Sequence, residues 1–459
     1  MKLFFALISA SLFFIAITTS QTSKKWYNWG DNQTCQPREI FAPATKQELI
    51  DIVQRARANN WHIHAYGSSH SWSDIVCTDY LINTDKLDKI LEINKDKQTV
   101  KVEGGIKLYN LNEQLAQQNL TLANFGEIAA QSAAGATATA THGSGKTGTL
   151  ASFIQELELI TADGILHTLS VDTHREHFAA ARTSLGALGI IYSLTFACQP
   201  LVRLKQERIV TDFATARAEY KQLRDNNDYS MFLWNPYTDK VLVFKTNKTL
   251  EDISHSSFWQ KIKNKLFSSK LVRQLLVTLV DLAPSLTPRV IDSIYTQLES
   301  KGQVDYGYKI LVQAQKSNDQ VLYQEEEIAI AFDKLTEVAP AIKQLLLKYT
   351  QKGFYTTIWG VLFRFVNADT NNYLSPAADR DTVYVSITSS QLNLDFYKEY
   401  QDLMLKHGGR PHWGKINFTD HAQAQKLYGD NLTRFIKVRE QLDPKGIFSN
   451  TFTKRVFGS

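Results

Sequence analysis

The stretch AYGSSHSWSD, residues 65–74, places a single histidine in a loop of small hydroxyl residues. It follows residues 41–60, whose Thr cap and helically spaced apolar positions predict a helix, and residues 61–66 (WHIHAY), which predict a short strand. Glycine and serine are common in surface turns, so a plain turn is one interpretation. A loop without large side chains also leaves its backbone N–H groups open to a phosphate anion. The order of helix, strand and small-residue loop therefore indicates both a fold and a type of ligand.

A second small-residue run, AAQSAAGATATATHGSG, occupies residues 129–145. The first loop lacks the G-x-G-x-x-G pattern of a dinucleotide-binding Rossmann unit. The second ends in Gly145-Lys146-Thr147, like a P-loop, but Ala140 stands where the first glycine of a P-loop belongs, and no convincing helix follows. Two such loops in one unit instead suggest a phosphate-bearing cofactor with an extended backbone. A tightly packed strand pair, which also favours Gly and Ala, is the structural alternative for the second run.

The chain has 459 residues, which is too long for one hydrophobic core, so we expect two or three domains. Residues 35–203 read as a strand-rich α+β unit, and residues 204–405 as a second domain of helical patterns, such as 256–283 and 325–349, with strands between them. The turn-rich segment 406–459 is expected to fold back over the first unit. Net charge is only +5 with both signs interspersed, so nothing indicates a nucleic-acid partner.

Residues 1–20, MKLFFALISASLFFIAITTS, carry one lysine and then eighteen uncharged residues. This predicts a signal peptide cut after Ser20 and export to a periplasm, a lumen or the medium. An uncleaved membrane anchor is the alternative, because the apolar run is nearly long enough to cross a bilayer.

Three cysteines, Cys35, Cys77 and Cys198, allow at most one disulfide, and the sequence leaves open whether Cys35 or Cys198 pairs with Cys77. The histidines are scattered and no CxxC pair occurs, so no metal site is expected.

Six motifs, taken in order along the chain, indicate a specific protein family. They are GSSHSWSDIVCTD (67–79), TATHGSG (139–145), TADG (161–164), SLGALGIIYSLTF (184–196), GGRPHWGK (408–415) and DPKGIFSN (443–450). Together they resemble the vanillyl-alcohol-oxidase type of flavoprotein, and within it the aldonolactone and alditol oxidase branch, which includes gulonolactone and arabinonolactone oxidases. The resemblance implies a two-subdomain PCMH-type FAD-binding domain followed by a mixed α+β substrate domain, an α+β fold overall. The segment 406–459 would complete the flavin site.

The resemblance also implies roles for the cofactor residues. His70 occupies the place of the histidine that bonds covalently to the flavin 8α-methyl carbon. A hydrogen-bonded loop histidine is the alternative. Around it, Gly67, Ser68, Ser69 and Ser71 would meet the pyrophosphate. The residues expected along the isoalloxazine and pyrophosphate are Gly135, Ala136, Thr141, His142, Gly143 and Ser144, and those at the adenine end are Gly189 and Ile190. Asn450 is a weaker candidate.

For the substrate, a carbohydrate or sugar lactone, the resemblance implies hydride transfer from a CH–OH carbon to flavin, with O₂ as the electron acceptor. Lys415 matches the family lysine that reaches the substrate, with His412 and Trp413 shaping the site. Arg364 suits lactone or polyol oxygens, because a guanidinium can donate two parallel hydrogen bonds. A solvated surface charge is the alternative for Lys415.

One departure from the family pattern stands out. The branch carries Glu-x-Arg before an ADD…LSP run, whereas this chain has Leu362-Phe363-Arg364 before NADTNNYLSP. A leucine cannot accept a proton. The substrate therefore differs from ordinary aldonolactones, another residue supplies the base, or activity has decayed. Two alternatives to a sugar lactone oxidase follow: an oxidoreductase of a lipid-linked sugar, and a flavin-binding protein with a degenerate substrate site.

Overall fold

The computed structural model describes residues 25–254, 269–317 and 320–458. The predicted signal segment, residues 1–20, lies outside the described residues. The same holds for residues 255–268, part of a predicted helical stretch. No helix within the described ranges is both long and apolar enough to cross a membrane.

The first region is built from short strands and four helices. In chain order these are β1 (Trp26–Tyr27), β2 (Thr34–Cys35), β3 (Glu39–Phe41), α1 (Lys46–Asn59), β4 (Ile63–Tyr66), β5 (Tyr80–Asn83), β6 (Ile90–Asn94), β7 (Thr99–Glu103), α2 (Leu108–Gln117), β8 (Leu120–Thr121), α3 (Ala133–Ala138), β9 (Ile154–Ile160), β10 (Leu166–Ser170), α4 (Arg175–Ala181), β11 (Ile190–Ala197) and β12 (Gln199–Pro200).

The predicted helix and strand before the histidine loop are confirmed. The Thr45 side chain caps α1 by accepting from the Glu48 N–H, and α1 ends at Asn60, whose φ of 52° is left-handed. Strand β4 then joins the parallel sheet β3-β5-β4 and delivers the chain into residues 67–73. A disulfide joins Cys35 to Cys77 across this corner, whereas Cys198 is free and buried. The pairing left open by the sequence is thus Cys35 with Cys77.

A second sheet, of order β10-β9-β11-β7-β6, is antiparallel throughout. The predicted hairpin around Ala162-Asp163-Gly164 is confirmed, because β9 and β10 pair across it. The Asp163 carboxylate accepts from the Thr161 hydroxyl and the Ile165 N–H, which fixes the turn. Residues 133–138, in the second small-residue run, form the short helix α3 rather than a strand pair.

The second region carries a large sheet and its covering helices. In chain order it comprises β13 (Arg203–Asp212), α5 (Phe213–Asp225), β14 (Tyr229–Trp234), β15 (Lys240–Thr249), α6 (Lys270–Leu282), α7 (Thr287–Leu298), β16 (Ser300–Tyr306), α8 (Gly307–Ile310), β17 (Gln324–Ala331), α9 (Leu335–Thr350), β18 (Val361–Val366), β19 (Thr382–Ser389), α10 (Leu394–Lys406) and β20 (Arg410–Pro411).

The eight strands of this region form one sheet of order β16-β13-β15-β14-β18-β19-β17-β20. The helical prediction for residues 325–349 is wrong at its N-terminal end, since residues 324–331 form β17 and only 335–350 form a helix. Strand β17 pairs with β19 along its whole length and with β20 at Ile328 and Ala329. The β-branched residues Ile328 and Ile330 suit a strand, and pairing on both sides overrides the helical propensity of glutamate.

The C-terminal segment forms α11 (His421–Tyr428), α12 (Asp430–Leu442) and α13 (Thr451–Phe457). Their apolar residues, such as Leu432, Phe435 and Phe452, share one core with Leu111, Leu157 and other residues of the first region. The chain therefore returns to the first region after crossing the large sheet.

Candidate functional site

An elongated cleft of about 860 Å³, open to solvent on one side, runs through the first region. Its lining is mainly small and uncharged. Of the residues predicted to hold the cofactor, it is lined by Gly67, Ser68, Ser69, His70, Ser71, Gly135, Ala136, Gly189 and Ile190. The two small-residue loops approach closely here, since a Cβ on Gly67 would lie 2.1 Å from the Ser132 hydroxyl oxygen. A side chain at position 67 would therefore push the loops apart.

Residues outside the histidine loop donate hydrogen bonds to the backbone carbonyls of the loop. Trp29 donates its N–H to the Ser69 carbonyl at 2.7 Å, and the Asn28 amide donates to the Ser71 carbonyl at 2.9 Å. Ser69 has a φ of 55°, a left-handed conformation that is uncommon for a serine. The loop is therefore fixed in one unusual shape rather than left as a loose surface turn.

The serine hydroxyls of this loop have partners within the protein. Ser68 donates to the Ala130 carbonyl at 2.5 Å, and the Ser69 hydroxyl accepts from the Trp26 indole at 3.1 Å. The sequence analysis assigned the loop serines, together with the neighbouring amides, to the pyrophosphate, and the internal partners of the Ser68 and Ser69 hydroxyls leave the backbone amides for that role. The N–H groups of Ser68, Ser69 and His70 donate to no acceptor among the described residues. Such amides form an anion-binding cradle.

His70 lies at the end of the cleft with one nitrogen occupied and one open. Its Nε2 lies 2.9 Å from the Ser317 hydroxyl, and its ring stacks on Trp29 with centroids 5.1 Å apart. Its Nδ1 is buried and has no hydrogen-bond partner among the described residues. Burial, aided by the positive charges of Lys415 and Lys107, lowers the pKa of His70 to about 4. The ring is therefore neutral and held in one orientation, with its Nδ1 unpartnered among the described residues.

Four residues predicted for the isoalloxazine lie beyond this cleft. Thr141 and His142 line a second cavity, whereas Gly143 and Ser144 line neither. The Gly143 backbone packs against Phe125 and Asn124, and Ser144 donates its hydroxyl to the Ser230 carbonyl. Ser144 thus joins the first region to the large sheet, whereas Gly143 packs within the first region. Asn450 also lines neither cavity and caps α13, with its amide donating to the Ile75 carbonyl.

The second cavity, of about 530 Å³, begins where the cleft ends. The two share His70, Ser71, Gln131 and Thr139. Its other lining residues include Trp72, Glu127, Thr141, His142, Tyr323, Glu325, Glu327, Arg364, His412 and Lys415. Both predicted catalytic residues, Arg364 and Lys415, therefore lie in one cavity next to His70.

Arg364, on β18, lies between two carboxylates. It forms an ion pair with Glu327, and its Nη1 lies 3.6 Å from an oxygen of Glu127. Burial would disfavour the charge, but Glu327 and Glu127 raise the pKa of Arg364 above its ordinary value. Burial would likewise raise the pKa of Glu327, yet Arg364 and His142 hold it well below the usual range. Arg364 and Glu327 are therefore a permanent ion pair.

Glu127 differs from the other carboxylates. Burial raises its pKa, which Arg364 only partly opposes, and the neighbouring Glu325 and Glu327 raise it further. One of its oxygens accepts from the Gln313 amide at 2.9 Å, and the other faces Arg364. Its side chain is 22 % exposed, whereas that of Glu327 is fully buried. Glu127 is thus the carboxylate in this cavity that most readily changes its protonation state.

Lys415 extends into the cavity from the loop after β20. Its ammonium pairs with Glu325 and lies 4.4 Å from the centre of the Trp72 ring. The other oxygen of Glu325 accepts from the Ser386 hydroxyl at 2.6 Å. His412 lines the cavity beside them, and its Nδ1 accepts from the Gly414 N–H, whereas Trp413 is buried behind the loop.

His142 completes the charge network. Its Nδ1 lies 2.9 Å from the Gly143 carbonyl and its Nε2 lies 3.2 Å from a Glu327 oxygen. Burial and the positive charge of Arg364 lower the pKa of His142, and Glu327 and the Gly143 carbonyl only partly oppose that shift. His142, Glu327 and His412 are close enough to hold a metal ion. Because Arg364 already neutralises Glu327, we assign them to the hydrogen-bonded network.

Leu362 lies on the same face of the sheet as this network but outside the cavity lining. It pairs with Ser386, which in turn pairs with Glu327, and its side chain packs in an apolar cluster with Leu233 and Phe244. The sequence reading missed Glu127, Glu325 and Glu327. The period of two in a strand would have placed Glu325 and Glu327 on one face, but the run QEEEIAIA has no polar–apolar alternation that marks it as a strand. No local pattern marks Glu127.

A small-residue cleft joined to a charged cavity at one histidine suits an extended cofactor beside a substrate site, and the FAD-binding domain model that matches residues 37–170 makes the protein a flavoprotein of the PCMH type. The fold is similar to cholesterol oxidase from Brevibacterium sterolicum, with a TM-score of 0.78 and 15% identity, covering 94% of this chain and 96% of that one. A solvent-stable cholesterol oxidase gives a TM-score of 0.80, also at 15% identity, covering 94% and 97%.

A family model described as D-arabinono-1,4-lactone oxidase matches residues 194–456, and an FAD-binding domain model matches residues 37–170. L-gulono-1,4-lactone dehydrogenase of Mycobacterium tuberculosis is 32% identical over 94% of this chain and 99% of its own length. L-gulonolactone oxidase of Scyliorhinus torazame is 30% identical over 94% and 97%. The chain belongs to the aldonolactone oxidase and dehydrogenase family and is an FAD-dependent oxidoreductase acting on CH–OH groups. The family and the fold class expected from the motifs are confirmed.

Proposed function

We propose that this protein oxidises a secondary hydroxyl of an aldono-1,4-lactone in the second cavity, with FAD held in the cleft through His70. The observation that carries the proposal is the junction of the two cavities at His70. A cofactor lying along the cleft would end beside Arg364, Glu127 and Lys415. The gulonolactone and arabinonolactone activities named for the relatives support the substrate class.

The residues of the cleft fit a covalent flavin. The buried, unpartnered Nδ1 of His70 is a neutral nucleophile, because the lowered pKa leaves its lone pair free and Ser317 occupies the other nitrogen. The amides of the histidine loop suit a pyrophosphate, and the close approach of Gly67 to Ser132 keeps the cleft narrow enough for a flat ligand. When bound, FAD supplies the hydride acceptor.

The cavity balances its charges around a neutral, oxygen-rich ligand. Arg364 and Lys415 offer donors to lactone and hydroxyl oxygens, and three carboxylates lie beside them. An anionic sugar phosphate would meet those carboxylates, so a neutral lactone is the better match. This balance favours an active site over a degenerate one.

We assign the proton-accepting role to Glu127. Both oxygens of Glu325 and both of Glu327 are engaged by buried partners, whereas Glu127 is partly exposed and contacts Arg364 only at 3.6 Å. Its raised pKa lies closer to pH 7, and a general base is most effective when its pKa is near the operating pH. Glu127 would thus replace the carboxylate that the family pattern places at position 362.

The test is anaerobic flavin reduction by gulono- and arabinono-1,4-lactone in wild type and in Glu127→Gln. We expect the rate of flavin reduction in wild type to fall as the pH drops through the raised pKa of Glu127, because only the carboxylate accepts a proton. Glu127→Gln should lose about a hundredfold or more in that rate and this pH dependence together.

Two variants sharpen the test. Glu92→Gln, an exposed carboxylate on β6, should match wild type. Leu362→Glu should leave turnover unchanged or lower, because it buries a new charge among apolar neighbours. A rise in turnover would instead indicate a decayed site, and a Glu127→Gln variant with a normal rate and pH profile would exclude Glu127 as the base.

We further propose that O₂ accepts the electrons, with peroxide as the product. The oxidases among the relatives support this assignment, whereas the dehydrogenase from Mycobacterium tuberculosis supports another acceptor. Peroxide formed in proportion to lactone consumed in aerated buffer would bear out O₂. Turnover that needs an added dye would point to a dehydrogenase.

Export is the remaining proposal. The charge-free segment after Lys2 supports it, and so does the Cys35–Cys77 disulfide, because disulfides persist in oxidising compartments. The mass of the protein recovered from cells tests this proposal. Cleavage after Ser20 leaves Gln21 as the first residue, whereas a mass that includes residues 1–20 would contradict cleavage.

A further inference from the structure

Gln131 lies at the junction of the cofactor cleft and the substrate cavity. It lines both of them, as do His70, Ser71 and Thr139. A hydride that leaves a carbon in the cavity for a cofactor in the cleft has to cross this junction, and transfer needs the two reacting atoms in contact. Side chains at the junction therefore lie beside the reacting carbon of the substrate and the carbon next to it.

One end of the Gln131 carboxamide is anchored and the other end is open. Its Nε2 donates to the hydroxyl oxygen of the buried Thr141 at 3.1 Å. Its Oε1 accepts from no donor within the described ranges of the chain. This oxygen lies 3.4 Å from where a Cβ on Gly126 would stand, and Gly126 also lines the substrate cavity. The anchor and the absent side chain at Gly126 together present a free acceptor at the cavity wall.

The other polar groups of the cavity explain why such an acceptor matters. The guanidinium and ammonium groups there can only donate, and both oxygens of Glu325 and of Glu327 are already engaged by other side chains. A lactone with several hydroxyls brings donors of its own, and a buried hydroxyl without an acceptor costs binding free energy. Glu127 would receive the hydroxyl that reacts. The neighbouring hydroxyl then needs a second acceptor at the junction, where Gln131 lies.

We propose that the Gln131 side-chain carbonyl accepts a hydrogen bond from the hydroxyl next to the one that is oxidised, so that the enzyme selects lactones with two adjacent ring hydroxyls. This requirement rests on the lactone oxidation proposed above and narrows its substrate class. Gln131 takes neither the proton nor the hydride, and it acts by binding the substrate. Thr141 is a positioning residue, because it holds the carboxamide with its oxygen towards the cavity.

The test combines enzyme variants with substrates that lack one hydroxyl. The ring of an aldono-1,4-lactone carries hydroxyls at C2 and C3, so when one is oxidised the other is its neighbour. Apparent dissociation constants of the holoenzyme are measured for gulono-1,4-lactone and for its 2-deoxy and 3-deoxy analogues. They come from the concentration dependence of anaerobic flavin reduction or, for an analogue that does not react, from competition with the parent lactone.

The expected result is a coupling between one side chain and one hydroxyl. In wild type, the analogue without the neighbouring hydroxyl should bind about tenfold to a hundredfold more weakly than the parent. Gln131→Met keeps the length of the side chain but removes the acceptor, so this difference should fall to about twofold. Thr141→Val should lose part of the difference, because the carboxamide is intact but no longer anchored.

The matched control is Gln117→Met at the exposed end of α2, which should keep the full difference between the lactones. A folding defect would weaken all three lactones alike, whereas a lost contact depends on which lactone is bound. Wild type that binds the parent and both analogues equally overturns the proposal, and so does a Gln131→Met variant that distinguishes them like wild type. Equal weakening of all three lactones in Gln131→Met also overturns it, in favour of a contact with the cofactor. A wild-type flavin that no lactone reduces would overturn the proposed function, and this requirement with it.

Discussion

The two cavities that meet at His70 are built in opposite ways. The cofactor cleft is lined by glycine, alanine and serine from loops close to one another in the first region, and its binding groups are mostly backbone amides. The substrate cavity is lined by long charged side chains from segments spread between residues 127 and 415. The first depends on local backbone shape, and the second depends on how distant elements pack. The two should therefore respond differently to substitution.

Arg364→Ala should have the largest effect. It removes the partner of two carboxylates and a donor to the substrate, so we expect kcat/KM for the lactone to fall about a thousandfold. Flavin content should stay at the wild-type level, because the cleft contains no part of Arg364. Steady-state kinetics beside the flavin absorbance per chain checks both statements.

A companion variant guards against loss of folding. Arg364→Lys keeps the positive charge but not the planar donor fork, so it should recover part of the lost rate and leave the fold intact. If flavin content falls together with kcat/KM in both variants, the inference that the substrate cavity and the cofactor cleft act independently is wrong.

His70→Ala should have an intermediate effect, and it should act mainly on flavin retention rather than on the lactone. Acid precipitation should leave the flavin colour in the wild-type pellet and release it to the supernatant in the variant, because the carbon–nitrogen tether is missing. Turnover with added FAD should fall only about tenfold, since the tether tunes the flavin without contacting the lactone. Colour released from wild type would overturn the covalent assignment.

Ser317→Ala should have the smallest effect. It removes the hydrogen bond that orients His70, a loss of about 1 kcal/mol, so covalent attachment should slow by about fivefold. The fully loaded enzyme should turn over normally. The bound fraction is followed over time after FAD is added to the apoprotein, with Ser390→Ala as a serine control far from the cleft. Equal attachment rates in the two variants would remove Ser317 from the cofactor site.

The sequence predicted the parts of the fold that short patterns determine. Thr45 and the spaced apolar residues after it fixed helix α1, and Asp163 with Gly164 fixed the β9–β10 hairpin. The histidine loop could be found because its unusual composition is local. Its details could not, since the partners of the Ser68 and Ser69 hydroxyls, Ala130 and Trp26, lie outside the loop.

The substrate cavity was harder to predict for a physical reason. Glu325 and Glu327 lie in a run with high helical propensity, and only pairing of β17 with β19 and β20 makes it a strand. The motif showed that position 362 carries a leucine where the family pattern has a carboxylate. The replacement that we propose, Glu127, could not be predicted, because it reaches Arg364 from a loop 237 positions earlier in the chain.

The bracing of the histidine loop has a consequence for biosynthesis. The Trp72 indole donates to the Tyr323 carbonyl 251 positions later, and the Ser73 hydroxyl donates to the Trp413 carbonyl 340 positions later. During translation the contacts from Trp26, Trp29 and Ala130 become available early, whereas these two braces are missing until most of the chain has been made. The proposed covalent attachment of flavin would then depend on nearly complete synthesis, and chains interrupted before Trp413 should remain colourless.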